Sequence, residues 1–105
     1  MMTQSVEPKL VAIELDRHRK MLIDFNALAS FEEVTGKSAL REGIDSKSAV
    51  DIRAFLWAAL RHEDPGLTLD QVGAMIHLGN LEWAGEKIAE AFAAAVPESD
   101  NQGNA

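Results

Sequence analysis

The stretch Leu56–Gly73, LWAALRHEDPGLTLDQVG, decides how the rest of the chain is read. It begins as an apolar helical segment, passes through His62, Glu63 and Asp64, turns at Pro65-Gly66 and enters a second apolar pattern. Three adjacent ionisable side chains would form a metal or acid–base site if they converged. On a helix, neighbours point about 100° apart, so three in a row cannot meet on one ion without help from elsewhere. The three histidines, His18, His62 and His77, show no i, i+4 spacing among themselves. The stretch therefore reads as punctuation. His62 suits a helix C-terminus, and Pro65 blocks continuation and biases Asp64 away from helical geometry. Thr68 with Gln71 forms a capping box, and Leu67 with Val72 a hydrophobic staple.

Working outward, Ser48 with Asp51 three residues later starts the preceding helix, Ala49 to about His62. Its stripe is Ile52, Phe55, Leu56, Ala59 and Leu60. Ala54, Trp57 and Ala58 make it apolar nearly all round, which predicts the central helix of the fold. Downstream, Leu69, Val72, Met75 and Ile76 predict a helix that runs to Gly79. Asn80 then caps a last helix, Leu81 to about Val96, with the stripe Leu81, Ala84, Ile88, Ala91, Phe92 and Ala95. Pro97 ends it.

Nearer the N-terminus the period changes. Val11, Ile13 and Leu15 alternate, and so do Met21, Ile23 and Phe25, with Asp16–Arg19 between the runs. This predicts a hairpin whose apolar face packs on helices, since a lone hairpin is marginal in water. Asn26 is the expected cap of a helix with Leu28, Phe31 and Val34 inward and Gly36 as its left-handed stop. Lys37–Lys47 is a connection with one helical turn near Ala39–Glu42. The expected architecture is mainly α with a small β part: a short N-terminal β-hairpin followed by about four helices in a compact bundle. One domain is expected over residues 9–96, between disordered polar segments at 1–8 and 97–105.

Ten Lys and Arg stand against seventeen Asp and Glu, a formal net charge of −7, with pI about 4.8. Nucleic-acid binding rests on phosphate neutralisation by cations, so this balance argues against it. A helix-turn-helix reading of the Pro65-Gly66 corner also fails, because the would-be recognition helix carries no Arg or Lys and begins with Asp70. There is no cysteine, which removes a disulfide framework and thiolate metal sites and fits a reducing compartment. No signal peptide or membrane-length apolar run is present, so a cytoplasmic location is expected.

Few residues qualify as chemistry. No Ser lies in a G-x-S-x-G elbow. Gly36-Lys37-Ser38 matches the end of a phosphate loop, but Phe31 stands where the upstream Gly belongs. No catalytic residue, metal or cofactor is expected. The candidates are for partner binding. Glu82, Glu86 and Glu90 follow one another at i, i+4, i+8, a like-charge ridge that costs a few tenths of a kcal/mol per pair unless a basic partner meets it. The alternative is a solvated face with Lys87 paired to Glu90. Arg17, His18, Arg19 and Lys20 form the one basic cluster, either a solvated hairpin tip or a contact site. Trp57 and Trp83 are core candidates by size, and Trp83 lies off its helix's main stripe, where it could be an interface anchor. Met75 offers adaptable packing to a bound helix.

Two segments together carry a family resemblance. MLIDFNALASFEEVTGKSAL (Met21–Leu40) joins a strand to a helix ending in Glu-Glu-x-Thr-Gly-Lys-Ser, and LWAALRHEDPGLTLDQVGAMI (Leu56–Ile76) follows. Together they resemble tail assembly chaperones of long-tailed phages, prophages and gene transfer agents, over about Leu10–Val96. The hairpin loop departs from the family, which often has a Gly-containing turn where this chain has Asp16–Arg19. The resemblance implies a small helical protein without catalysis. It implies binding to the tape measure protein, a long helix-rich chain, and to tail tube subunits, in the host cytoplasm, with absence from the finished particle. Homo-oligomerisation is compatible with it. The alternative reading is a small acidic, antitoxin-like regulator that occupies a partner's basic surface.

Overall fold

Alternation of Val11 and Ile13 with Ala12 and Glu14 builds the first element of the computed structural model, which describes residues 10–95. Strand β1 (Val11–Glu14) pairs antiparallel with β2 (His18–Met21), and Val11 faces Met21 while Ile13 faces Arg19. The connecting loop is Leu15–Arg17, shorter than the expected Asp16–Arg19, and the Leu15 amide donates to the Arg17 carbonyl across it. Five helices follow: α1 (Phe25–Thr35), α2 (Ala39–Glu42), α3 (Ala49–Leu60), α4 (Leu69–Gly73) and α5 (Leu81–Ala95). The fold is mainly α with a small β part. Helix α2 is the single turn expected at Ala39–Glu42.

The caps explain most boundaries. Asp24, not Asn26, caps α1 by accepting the Ala27 amide at 2.9 Å. Phe25 thereby becomes the first helical residue and is 76% exposed, so it leaves the hairpin's apolar face, which ends at Ile23. The inward face also differs from the expected Leu28, Phe31 and Val34: Ala27 and Phe31 are buried, Leu28 is half-buried and Val34 is exposed. Gly36 ends α1 at φ +76°, with its amide on the Glu32 carbonyl. That left-handed conformation is one that glycine adopts without the Cβ clash of other residues. Ser48 caps α3, and Thr68 with Gln71 forms the full capping box of α4.

Helix α4 stops at Gly73, about a turn and a half short of the stop expected at Gly79. The competitor is a polar turn at His77–Asn80. Continuing the helix would send the His77 amide to the Gly73 carbonyl. It goes instead to Asn80 Oδ1 at 2.8 Å, while Asn80 Nδ2 donates to the Met75 carbonyl at 3.1 Å. Local side-chain bonds of this kind displace the helical ladder. Asn80 therefore binds the preceding loop with the side chain expected to cap α5.

Helix α3 is the centre of the packing: Ile52, Ala54, Phe55, Leu56, Ala58, Ala59 and Leu60 are all buried. Phe31, Phe55 and Phe92 meet edge to face, with centroids 6.1 and 6.0 Å apart, and link α1, α3 and α5. Edge-to-face pairs add roughly 0.5–1.5 kcal/mol beyond burial. The hairpin's inner residues Val11, Ile13 and Met21 join the same core. The expectations for residues 1–8 and 97–105, and for Pro97, lie outside the described residues.

Candidate functional site

His62, Glu63 and Asp64 diverge, and each reaches the hairpin. His62 Nε2 donates to the Lys20 carbonyl at 2.8 Å. The Lys20 amide approaches Glu63 Oε1 at 3.4 Å, and Asp64 Oδ2 lies 3.7 Å from Arg19 Nη1. With the Leu22 amide on the Ala59 carbonyl at 2.9 Å, these groups fasten β2 to the end of α3 and cover an edge that would otherwise be unpaired. Among the described residues no three His, Asp or Glu side chains are placed to hold a metal ion. The helix end is solvated as expected, with His62 and Glu63 exposed, and the same polar groups also hold a strand.

Arg19 also departs from the expected basic tip. Strand alternation turns it inward, and it is 4% exposed. Its Nε and Nη2 donate to the two oxygens of Asp16 at 2.7 and 2.9 Å. These bonds and the guanidinium charge outweigh desolvation and hold the Asp16 carboxyl at about 2. The same bonds raise Arg19. At the strand ends, His18 Nδ1 meets the Glu14 carboxylate. A second polar anchor went unread in the sequence. Asp51 is 2% exposed, and its Oδ2 accepts Lys37 Nζ at 2.7 Å and the Asp45 amide at 3.1 Å. Lys37, raised by that bond, is thus a strut for the α1–α3 connection.

Two of the open hollows are mainly apolar. A trough of ≈ 730 Å³ lies between the start of α3, the α4–α5 loop and α5. Val50, Ile52, Ile76, Leu78 and Leu81 give it its apolar wall. It meets a smaller hollow of ≈ 180 Å³ bounded by Ile44, Gly85, Ala89 and Phe92, the two sharing Ser46 and Ile52. Leu78 is 90% exposed and Val50 54%. Lys47 and Arg53 stand along the α3 side. At Gly73, which also lines the trough, a Cβ would come within 3.1 Å of Cδ of the part-exposed Arg53 side chain.

The sequence candidates divide around this trough. Trp57 stands outside it: its indole N–H donates to the Leu67 carbonyl at 2.9 Å, and Arg61 stacks 4.8 Å from its ring. Met75, expected on the apolar face of a long α4, lies beyond that helix, half-buried, on a separate polar hollow beside Arg19 and Asp64. Trp83 is half-buried against the core. Glu82 and Glu86 precede Ala89 and Ala93 by seven residues, so each shares a helix face with a residue that lines the smaller hollow. Both are exposed, and neither lines the trough or the smaller hollow. Glu90 shares a face with Trp83 instead and pairs with Lys87 at 3.4 Å. Val50 and Leu78 were missed because neither belongs to a helical stripe; only an apolar residue placed directly before Gly79 hinted at Leu78.

Among the described residues no helix is long and apolar enough to cross a membrane. Comparison of the chain with protein-family models, with curated proteins and with solved structures found no match.

Proposed function

We propose that this chain is a phage tail assembly chaperone that binds helical segments of a tape measure protein in its trough, with tail tube subunits as a further partner. The observation that carries the reading is the trough, with Leu78 and Val50 held out to solvent by a folded scaffold. A groove of that kind accepts the apolar face of an amphipathic helix. The resemblance of Met21–Leu40 and Leu56–Ile76 to such chaperones supplies the client's identity. On this reading the protein acts by reversible binding, without catalysis, in the host cytoplasm, and leaves before the particle is complete.

Co-expression with the adjacent tape measure protein tests it. The client is expected to be soluble with the wild-type chain and to precipitate with Leu78→Asp. Sealing a leucine side chain from water contributes roughly 1.5–3 kcal/mol, so the variant should weaken binding by one to two orders of magnitude. Its own stability should change by less than ~0.5 kcal/mol, because Leu78 has almost no contacts to lose. A client equally soluble without the chain refutes the proposal. The second reading, an acidic regulator, is favoured by one observation: Glu82 and Glu86 have no ion-pair partner among the described residues. Binding that Glu82→Gln with Glu86→Gln abolishes, and Leu78→Asp spares, would establish it instead.

A further inference from the structure

We propose that a second copy of this chain pairs with the outer edge of β1, joining two hairpins into one four-stranded antiparallel sheet. The inference stands on the hairpin and is independent of what the trough holds. The ladder fixes which backbone groups face outward. The Lys20 amide is directed at Glu63 Oε1 and the Lys20 carbonyl at His62 Nε2, both just beyond α3 and away from β1. The Leu22 amide goes the same way, to the Ala59 carbonyl. Lys20 stands opposite Ala12, so theirs is a non-hydrogen-bonded pair of the ladder, and alternation makes Glu14 and His18 another. The N–H and C=O of Ala12 and Glu14 therefore point away from β2. Neither residue makes a backbone bond on that side among the described residues. Both are exposed, and Leu10, one step before the strand, is 50% exposed. The two edges of the sheet thus differ: the end of α3 covers that of β2, and that of β1 is bare. Edges are ordinarily blunted by Lys, Pro, a bulge or a covering element, and Val11–Glu14 contains no Lys, Pro or bulge. Its one charged residue, Glu14, is engaged by His18.

A second copy is the occupant because this edge is complementary to itself. An antiparallel copy centred on Ala12 sets Ala12 against its own equivalent and Leu10 against Glu14 on either side. Every outward N–H then meets an outward C=O, roughly six bonds at two per pair. A copy shifted one pair along sets Glu14 against Pro8, which has no N–H, or Leu10 against Asp16 in the loop. The side chains agree with the centred register. Alanine at the axis lets the strands approach, and Glu14 meets Leu10 rather than another Glu14. On the inner face Val11 of each copy stands opposite Ile13 of the other, a β-branched pair of the kind that stabilises sheets. A parallel in-register copy would set Glu14 beside Glu14.

The chain has no cysteine, so single cysteines report the register without background. Residues opposed in a hydrogen-bonded pair have Cα atoms about 5.5 Å apart, within disulfide reach. Under mild oxidation Ala12→Cys should give a covalent dimer at least about tenfold faster than Glu14→Cys, whose two copies would stand roughly 14 Å apart along the strands. Both rates are normalised to reaction with a small soluble thiol reagent, so exposure does not produce the difference. Without crosslinking, the wild-type chain should dimerise weakly in sedimentation equilibrium, with Kd about 0.1 mM, as a short interface does. Ala12→Pro should abolish that association while CD and Tm stay near wild type, because the Ala12 N–H is not used within the hairpin and an edge strand tolerates proline there. Equal crosslinking by the two cysteines, a dimer that survives Ala12→Pro, or a wild-type chain still monomeric at ~1 mM overturns the proposal. So does an Ala12 amide protected from exchange in the dilute monomer, which would show that the chain covers this edge itself. If Ala12→Pro does not fold, the cysteine comparison decides.

Discussion

Trp57→Phe is expected to destabilise the fold by about 2 kcal/mol without weakening client binding by the folded protein. The indole N–H donates to the Leu67 carbonyl at 2.9 Å, and Leu67 is 6% exposed. Phenylalanine keeps a ring in place but cannot donate. A net hydrogen bond is worth ~1 kcal/mol, and an acceptor left buried without a partner costs roughly 1–3. Loss of the better cation–π face under Arg61, 4.8 Å away, adds about 0.5 kcal/mol at a partly exposed site. Two kcal/mol should lower Tm by roughly 10 °C in a domain of this size. Urea unfolding followed by fluorescence suits the variant because Trp83 is left as the sole tryptophan. The m-value should not change, since the surface exposed on unfolding is the same. The damage should also be local: Leu67 precedes the Thr68 cap, so amide exchange at Gln71 and Val72 should accelerate more than at Phe55. A loss below ~0.5 kcal/mol, with exchange in α4 unaltered, would show that the indole does not hold the Pro65–Leu67 corner. A loss of client affinity at unchanged stability would return Trp57 to the binding surface.

Gly36→Ala should cost about 1–2 kcal/mol by urea titration, because φ +76° places a Cβ in the left-handed region although nothing lies within 4 Å of it. Asp16 gives a pH dependence whose sign follows from its lowered pKa. The unfolded value is near 3.8 and the folded value about 2, so the contribution is complete above 3.8 and is lost as pH falls toward 2. With Asp16 46% exposed, screening reduces it to about 1 kcal/mol, and Asp16→Asn should remove that part of the acid sensitivity in parallel stability–pH curves. Asp51→Asn should lower the Lys37 pKa read from its side-chain NMR resonances, since the Asp51 carboxylate is what raises it; an unmoved titration would refute the strut.

What was legible in the chain was whatever local chemistry decides alone. Thr68 and Gln71 are three residues apart and form the capping box with no outside help. Gly36, Ser48 and the alternation in Val11–Ile13 likewise act within a few residues, and the apolar run of α3 states its own central position. The misreadings fall where two local options were nearly equal. Asp24 and Asn26 both suit a cap, and choosing the wrong one moved Phe25 from core to surface. Long-range partners were illegible: nothing near Arg19 in sequence announces Asp64, and nothing near Asp51 announces Lys37. These pairs exist because β2 lies against the end of α3 and the α1–α3 connection folds onto its start.

The largest misreading is also the most informative. Met75 and Ile76 continue the apolar spacing of α4, Leu78 follows them off that stripe, and a helix to Gly79 would have turned part of that face onto the core. Asn80 and His77 prevent it by taking the backbone groups such a helix needs. The three residues are then distributed differently: Met75 half-buried on one side, Ile76 and Leu78 delivered to the trough, Leu78 almost wholly in water. Local preference and final structure disagree at this one loop, and disagreement of that kind concentrates at functional sites. Stability alone gives no reason to expose a leucine beside an apolar hollow, whereas a protein that must grip a passing helix and release it needs a surface its own fold does not consume. Asn80→Ala separates these views. Freed from the polar turn, α4 should lengthen toward Gly79, with a gain in helical CD, and client binding should weaken as Leu78 leaves the trough. A variant that gains helix and binds as before would show that the loop's conformation is incidental to binding.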